Sequence, residues 1–253
     1  MPHALVRRPG PHLADGLLTH LAREPVDVEL AMSQWLGYVA ALLAAGWTVT
    51  EIMPADDCPD AVFIEDTVVL FDDLAVVTLP GAASRRSEVD GAERAVKELG
   101  LDVARITEPA TLDGGDVLKI GRVVYVGVGG RTNEAAIAQL RSMLSVRGWS
   151  VVAVPVTKVL HLKSAVTALP DGRVVGFPDL VDDPSVYPTF VEVPEPAGSH
   201  VVLLGDDRLL LAADAPKSAA MYRSMGYDVV EVDISEFEKL EGCVTCLSVR
   251  HRS

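Results

Sequence analysis

The sequence predicts an α/β fold: five hairpin–helix–strand units closed into a propeller-like ring. Three observations lead there. Two short β-type runs around a tight turn, then a helical pattern and a further β-type run, return about every 50 residues, a period that marks arrays and propellers. The hairpin turns are polar (Asp72-Asp73, Gly121-Arg122, Pro170-Asp171-Gly172 and Gly205-Asp206-Asp207) and lie between runs rich in Val and Leu. Finally, both ends of the chain read as strands, so pairing them completes a fifth unit and removes the edges that an open sheet must protect. An ordinary α/β sandwich with incidental internal similarity is the alternative.

Residues 4–6 are a short strand, closed by the Pro/Gly loop from Arg7 to Pro11. Residues 12–21 are expected to be helical, leading into a lid-like segment that reaches residue 27. Residues 27–45 form a helix on the spacing of Leu30, Trp35, Leu36, Val39, Leu42 and Leu43, with Gly46 at the C-terminal cap. Residues 47–52 alternate as a strand. In the next unit, 67–71 and 75–78 make the hairpin, 87–99 the helix stopped by Gly100, and 101–106 the strand. The following unit has its hairpin at 116–120 and 123–126, a helix capped by Thr132 and running to about Val146, and a strand at 151–155. The third hairpin pairs 165–169 with 173–176, and its helix looks short or missing. The fourth pairs 201–204 with 208–211, followed by a helix at 216–225 ended by Gly226 and a strand at 228–232. Residues 242–249 are the last β-type run. They can pair with 4–6, and helix 27–45 then completes that unit.

At 253 residues and 49% apolar content, the chain can bury a sizeable core, and we expect a single domain over 1–253. The formal charge of −14 argues against nucleic acid and suits a cationic partner. An apolar run of about 18 residues is lacking, so no membrane span is expected. The first residues carry no signal-peptide core. Three cysteines, few and odd in number, suit a reducing compartment, and a cytoplasmic location is expected. A homodimer is one option for the oligomeric state.

Just before the first strand of each unit stand polar residues that a core strand would not choose. They are Glu65 and Asp66; Asp113 and Asp116; His161; His200; and the stretch with Cys243 and Cys246. In a ring these positions converge on one axis, where carboxylate, imidazole and thiol can meet as the constellation of covalent catalysis. Each also has a plainer reading: His161 between two leucines as a core histidine, Leu112-Asp-Gly-Gly-Asp as a turn, Glu65-Asp66 as solvated charge. The cysteines are open to several readings. Cys-x-x-C in a redox site precedes a helix, which this run does not allow. A structural zinc wants about four ligands in two close pairs, and only Cys58 remains. Two buried thiols, or one nucleophile and a bystander, are left. On a strand, residues 243 and 246 face opposite sides, one to the core and one to a cleft.

Six motifs in order resemble the dimethylarginine dimethylaminohydrolase family. They are Phe63-Ile-Glu-Asp, Gly81-Ala-Ala-Ser-Arg-Arg, Leu112-Asp-Gly-Gly-Asp-Val-Leu, Gly129-Gly-Arg-Thr-Asn, Leu160-His-Leu-Lys-Ser and Thr245-Cys-Leu-Ser-Val. The resemblance spans nearly the whole chain. It implies the pentein-type five-bladed α/β propeller of the guanidino-group modifying superfamily, and hydrolysis of N,N-dimethylarginine or N-monomethylarginine to citrulline and the methylated amine. It further implies Cys246 as nucleophile, His161 as general acid and base, and Asp113 as its acidic partner. Substrate contacts are implied at Leu18, Asp60, Glu65, Asp66, Arg85, Arg131 and Leu240. Cys243 has no implied role, and neither cofactor nor metal is expected. Rivals are arginine deiminase, where an Asp typically stands in place of Lys163, an amidinotransferase, and a non-catalytic methylarginine binder.

Overall fold

A computed structural model describes residues 2–252. Strand β1 (His3–Val6) is the middle strand of a three-stranded sheet. Helix α1 (Val28–Ala44) leads from it to β2 (Thr48–Glu51), which lies parallel to β1. Asp27 starts α1 by accepting from the backbone N–H of Glu29 and of Leu30, which would otherwise lack partners in the first turn.

The same design follows four more times. Strands β3 (Val68–Phe71) and β4 (Leu74–Val77) form a hairpin, and helix α2 (Val89–Glu98) returns the chain to β5 (Asp102–Arg105), parallel to β4. Strands β6 (Val117–Ile120) and β7 (Val123–Val128) are followed by α3 (Glu134–Ser145) and β8 (Ser150–Pro155). Strands β9 (Val166–Ala168) and β10 (Val174–Gly176) are joined to β11 (Phe190–Glu192) by two 3₁₀ turns in place of a helix. Strands β12 (Val202–Leu203) and β13 (Arg208–Ala212) lead through α4 (Pro216–Ser224) to β14 (Asp228–Val232). After the short helix α5 (Ser235–Glu238), β15 (Val249–His251) pairs antiparallel with β1, with Leu5 opposite Val249, and so supplies the first strand of the opening sheet. Two-residue hairpin turns need a positive φ, and Asp72 (52°) and Gly121 (56°) provide it at matching positions. The first strands gather at the centre and the helices pack outside, which leaves third strands such as β2 and β5 partly exposed.

The structure corrects several expectations. Residues 12–21 contain only the 3₁₀ turn Leu13–Asp15. At 19–21 the chain bends around the Glu241 carboxylate, which accepts from the backbone N–H groups of Thr19 (3.1 Å), His20 and Leu21 (2.8 Å). Helix α1 buries Ala31, Gln34, Trp35, Tyr38 and Leu42 and leaves Leu30, Leu36 and Leu43 exposed, so the leucine spacing marked a neighbouring stripe. Asn133 caps α3, accepting from the Ala136 N–H, while Thr132 is buried in the site below. Residues 243–247 form a turn closed by the Cys246 N–H on the Cys243 carbonyl (3.0 Å), not a strand. The two thiols therefore lie on the same side, with Sγ atoms 3.3 Å apart. Strand β11 and helix α5 had no forerunner in the periodic pattern.

Candidate active site

The chain enters each first strand through a tight turn, and these turns meet on the ring axis. Turn 114–116 touches both 64–67 and 162–164. Only glycine permits that approach: a Cβ on Gly114 would sit 2.0 Å from the Glu65 carbonyl oxygen, and one on Gly115 2.7 Å from Nδ1 of His161. The Asp-Gly-Gly-Asp run is therefore two carboxylates on a backbone flattened to let them near the imidazole.

His161 is buried, and its Nε2 lies 3.0 Å from Oδ2 of Asp113. Asp113 is fixed in turn: its Oδ1 accepts from the Gly81 N–H at 2.8 Å, and its own N–H donates to the Thr132 hydroxyl at 3.1 Å. That hydroxyl donates to Oδ2 of Asp116 (2.6 Å), whose Oδ1 accepts from the Leu162 N–H next to the histidine (2.9 Å). Nδ1 of His161 is 3.8 Å from Oδ1 of Asp66, beyond hydrogen-bond length. Asp66 itself accepts from the Gly115 N–H (2.8 Å) and from Nη1 of Arg85 (2.6 Å). Arg85 is buried against the Glu88 carboxylate and the carbonyls of Asp60 and Phe63.

Burial opposes a charge on His161, but Asp66, the hydrogen bond to Asp113 and Asp116 outweigh it and raise the imidazole to about 9. The ring is a cation at neutral pH. Burial likewise acts against ionised Asp66, yet His161 and Arg85 hold it at about 2. Burial prevails at Asp116, which is pushed up to about 6. The contact with Cys243, burial and the Glu65 and Asp66 carboxylates push the Cys246 thiol up.

One narrow cavity is lined by Asp60, Asp66, Arg85, Arg131, His161, Leu240 and Cys246, all expected from sequence, together with Leu17, Phe63, Leu160, Glu241 and Gly242, which were not. Asp113 stands behind His161. Leu17, next to Leu18, lines the cavity, and its backbone N–H donates to Asp60 Oδ1 at 3.0 Å. Glu65 does not face this cavity: Lys163 (2.6 Å) and Arg250 (3.3 Å) hold its carboxylate on the far side of the turn. Arg85, expected at the amino-acid end of a substrate, already has two carboxylate partners, whereas Arg131 has none among the described residues and hangs at the exposed mouth near Thr19. Glu241 is a non-glycine residue at φ 60°, and nothing in its sequence context announced its grip on the rim.

Asp66, Asp113 and His161 bring ligand atoms within 4.8 Å of one another, a geometry that could hold a metal ion. An ion there would compete with the direct Asp113–His161 bond and face the Arg85 guanidinium, so an imidazolium already does the work of the cation.

A family model, arginine deiminase, matches residues 93–202. The N(G),N(G)-dimethylarginine dimethylaminohydrolase of Streptomyces coelicolor is 62% identical over 98% of this chain and 96% of its own. The Pseudomonas aeruginosa enzyme of that name is 32% identical over 98% of each chain. A solved structure of a cysteine-to-serine mutant of the latter, complexed with citrulline, superposes with a TM-score of 0.91 over 98% of both chains at 32% identity. The N-terminal domain of the cyanobacterial arginine dihydrolase ArgZ shares the fold at 20% identity, with a TM-score of 0.87 over 98% of this chain and 97% of that one.

Proposed function

This chain belongs to the dimethylarginine dimethylaminohydrolase family, and on that premise we propose how its cavity carries out the reaction. The enzyme hydrolyses N,N-dimethyl-L-arginine to L-citrulline and dimethylamine. The observation that carries the residue assignment is the meeting of Cys246 and His161 on one cavity, with Asp113 bonded to the far nitrogen of the ring.

The substrate's guanidinium is planar and permanently charged. Asp60 and Asp66 flank its plane, and Arg131 at the mouth takes the carboxylate of its amino-acid end. The arriving cation lowers the cost of a thiolate, so Cys246 releases its proton to solvent when substrate is bound. Its sulfur adds to the central carbon. His161 gives its Nδ1 proton, unclaimed by Asp66, to the departing dimethylamine, and the C–N bond breaks. The S-alkylthiouronium that remains is attacked by water, whose proton returns to the now neutral imidazole. The C–S bond then breaks as the added hydroxyl gives up its remaining proton to the leaving sulfur, which frees citrulline and restores the Cys246 thiol. N-monomethylarginine follows the same course with methylamine leaving. Asp113 orients the ring and supports its charge.

The partial match to the arginine deiminase model favours arginine as the second substrate to test. Lys163, which replaces the Asp typical of that activity, points away from the cavity to Glu65. Citrulline release from dimethylarginine and from arginine, measured side by side, decides. We expect a clear excess from dimethylarginine, and equal or greater release from arginine overturns the choice. No helix among the described residues is long and apolar enough to cross a membrane. A single catalytic domain over 1–253, a cytoplasmic setting, a homodimer and no nucleic-acid partner complete the reading. The net charge of −14 supports the last of these.

A further inference from the structure

The turns that carry the catalytic residues separate two cavities, and the second is the larger, about 450 Å³. It lies at the other end of the ring axis, walled by the first strands of all five sheets. Its charges are unlike those of the chain as a whole. Lys119, Lys163, Arg250 and Arg252 line it, against Glu65 and Asp72. Asp72 is already paired with Arg122 at 2.5 Å, and Lys163 and Arg250 share the single Glu65. Lys119 and Arg252 are left without a carboxylate among the described residues, and the four cations exceed the one available carboxylate by three charges, in a chain of net charge −14.

Such a surplus is costly, because like charges repel across a low-dielectric wall. Lys119 records the cost: burial and then the charges of Lys163 and Arg250 bring its ammonium down to about 8. The Lys119 side chain is exposed to water within the channel. Its Nζ makes one hydrogen bond, to the Leu70 carbonyl at 2.6 Å, which leaves two N–H donors for a ligand. Arg252 lies over the Trp47 ring and bonds the Leu203 carbonyl, with no carboxylate partner among the described residues.

We propose that this axial cavity is a binding site for a small multivalent oxyanion of the phosphate class, held chiefly by Lys119, Lys163 and Arg252. The volume admits a molecule of a few non-hydrogen atoms and excludes a macromolecule. The apolar strand walls around Leu70 and Leu203 strengthen each charge-assisted contact by thinning the water. The site does not depend on the reaction assigned above.

Pyrophosphate is a direct probe. Titration calorimetry of the intact chain at low ionic strength, with the catalytic cavity saturated by citrulline, should show one saturable site per chain. Lys119→Met should weaken that binding at least about tenfold, as loss of a charge-assisted contact to a desolvated anion does. Citrulline release by the variant should match the parent. Should Lys119→Met fail to fold, Arg252→Met carries the same expectation. Absence of a saturable heat, binding that citrulline abolishes, or binding that survives the substitution would overturn the site.

Discussion

Glu65 and Asp66 are neighbours in the chain and face opposite ends of the ring. Asp66 looks into the catalytic cavity, where His161 and Arg85 overcome its burial and keep it ionised down to about 2. Glu65 looks into the axial cavity, where burial lifts its carboxyl above the usual range although Lys163 and Arg250 oppose it, and where Oε2 finds no partner. The same split recurs in the other turns: His161 faces one cavity and Lys163 the other, Cys246 one and Thr245 the other. The reactive groups are thus sorted by the direction in which each turn aims successive side chains, not by distance along the chain. Carboxylates in such unlike surroundings take different roles.

If the sorting is right, substitutions on the catalytic side should cost orders of magnitude and those on the other side little. The largest effect belongs to Cys246→Ser, which should lower citrulline release by more than about 10³-fold, because it removes the thiol proposed as nucleophile. Asp113→Asn should lower kcat by about 10²-fold through the misoriented and less basic ring. It should also move the pH profile. His161 is charged below about 9 and loses its transferable proton as pH rises through that value, so without Asp113 the alkaline fall in kcat must begin at lower pH. A fall at unchanged pH would place the acid on another group. Glu65→Gln, on the far side, should leave kcat within about tenfold but destabilise the fold by about 1–3 kcal/mol, since Lys163 and Arg250 lose their shared counter-charge; chemical denaturation reads this directly. The smallest effect is expected for Cys243→Ser, which should keep most of the activity; a loss equal to that of Cys246→Ser would mean that the two sulfurs act as a unit.

Strands and ring closure were readable because alternation and polar hairpin turns are local properties. The cluster of buried polar residues was readable for a related reason: a polar residue before each first strand is anomalous wherever the strand is buried, and Asp66, Asp113 and His161 stand out on that ground. Other features depend on tertiary partners. Helix α1 carries apolar residues on two adjacent stripes, and only the position of the neighbouring sheets decides that Tyr38 goes in and Leu36 stays out. Residues 242–248 are rich in strand formers, yet the thiol turn is imposed by the axis on which it must sit. Which way Glu65 turns is decided by Lys163 and Arg250, distant in sequence.

Strand β15 joins β1 across almost the full length of the chain, and Cys246 stands three residues before it. Two segments far apart in the chain must therefore clasp before the sulfur has a fixed address. A partly synthesised chain can build most of its blades and still be inert. Loosening the clasp, for instance by a proline at Leu5, whose partner is Val249, would silence the enzyme without touching a single group in the cavity.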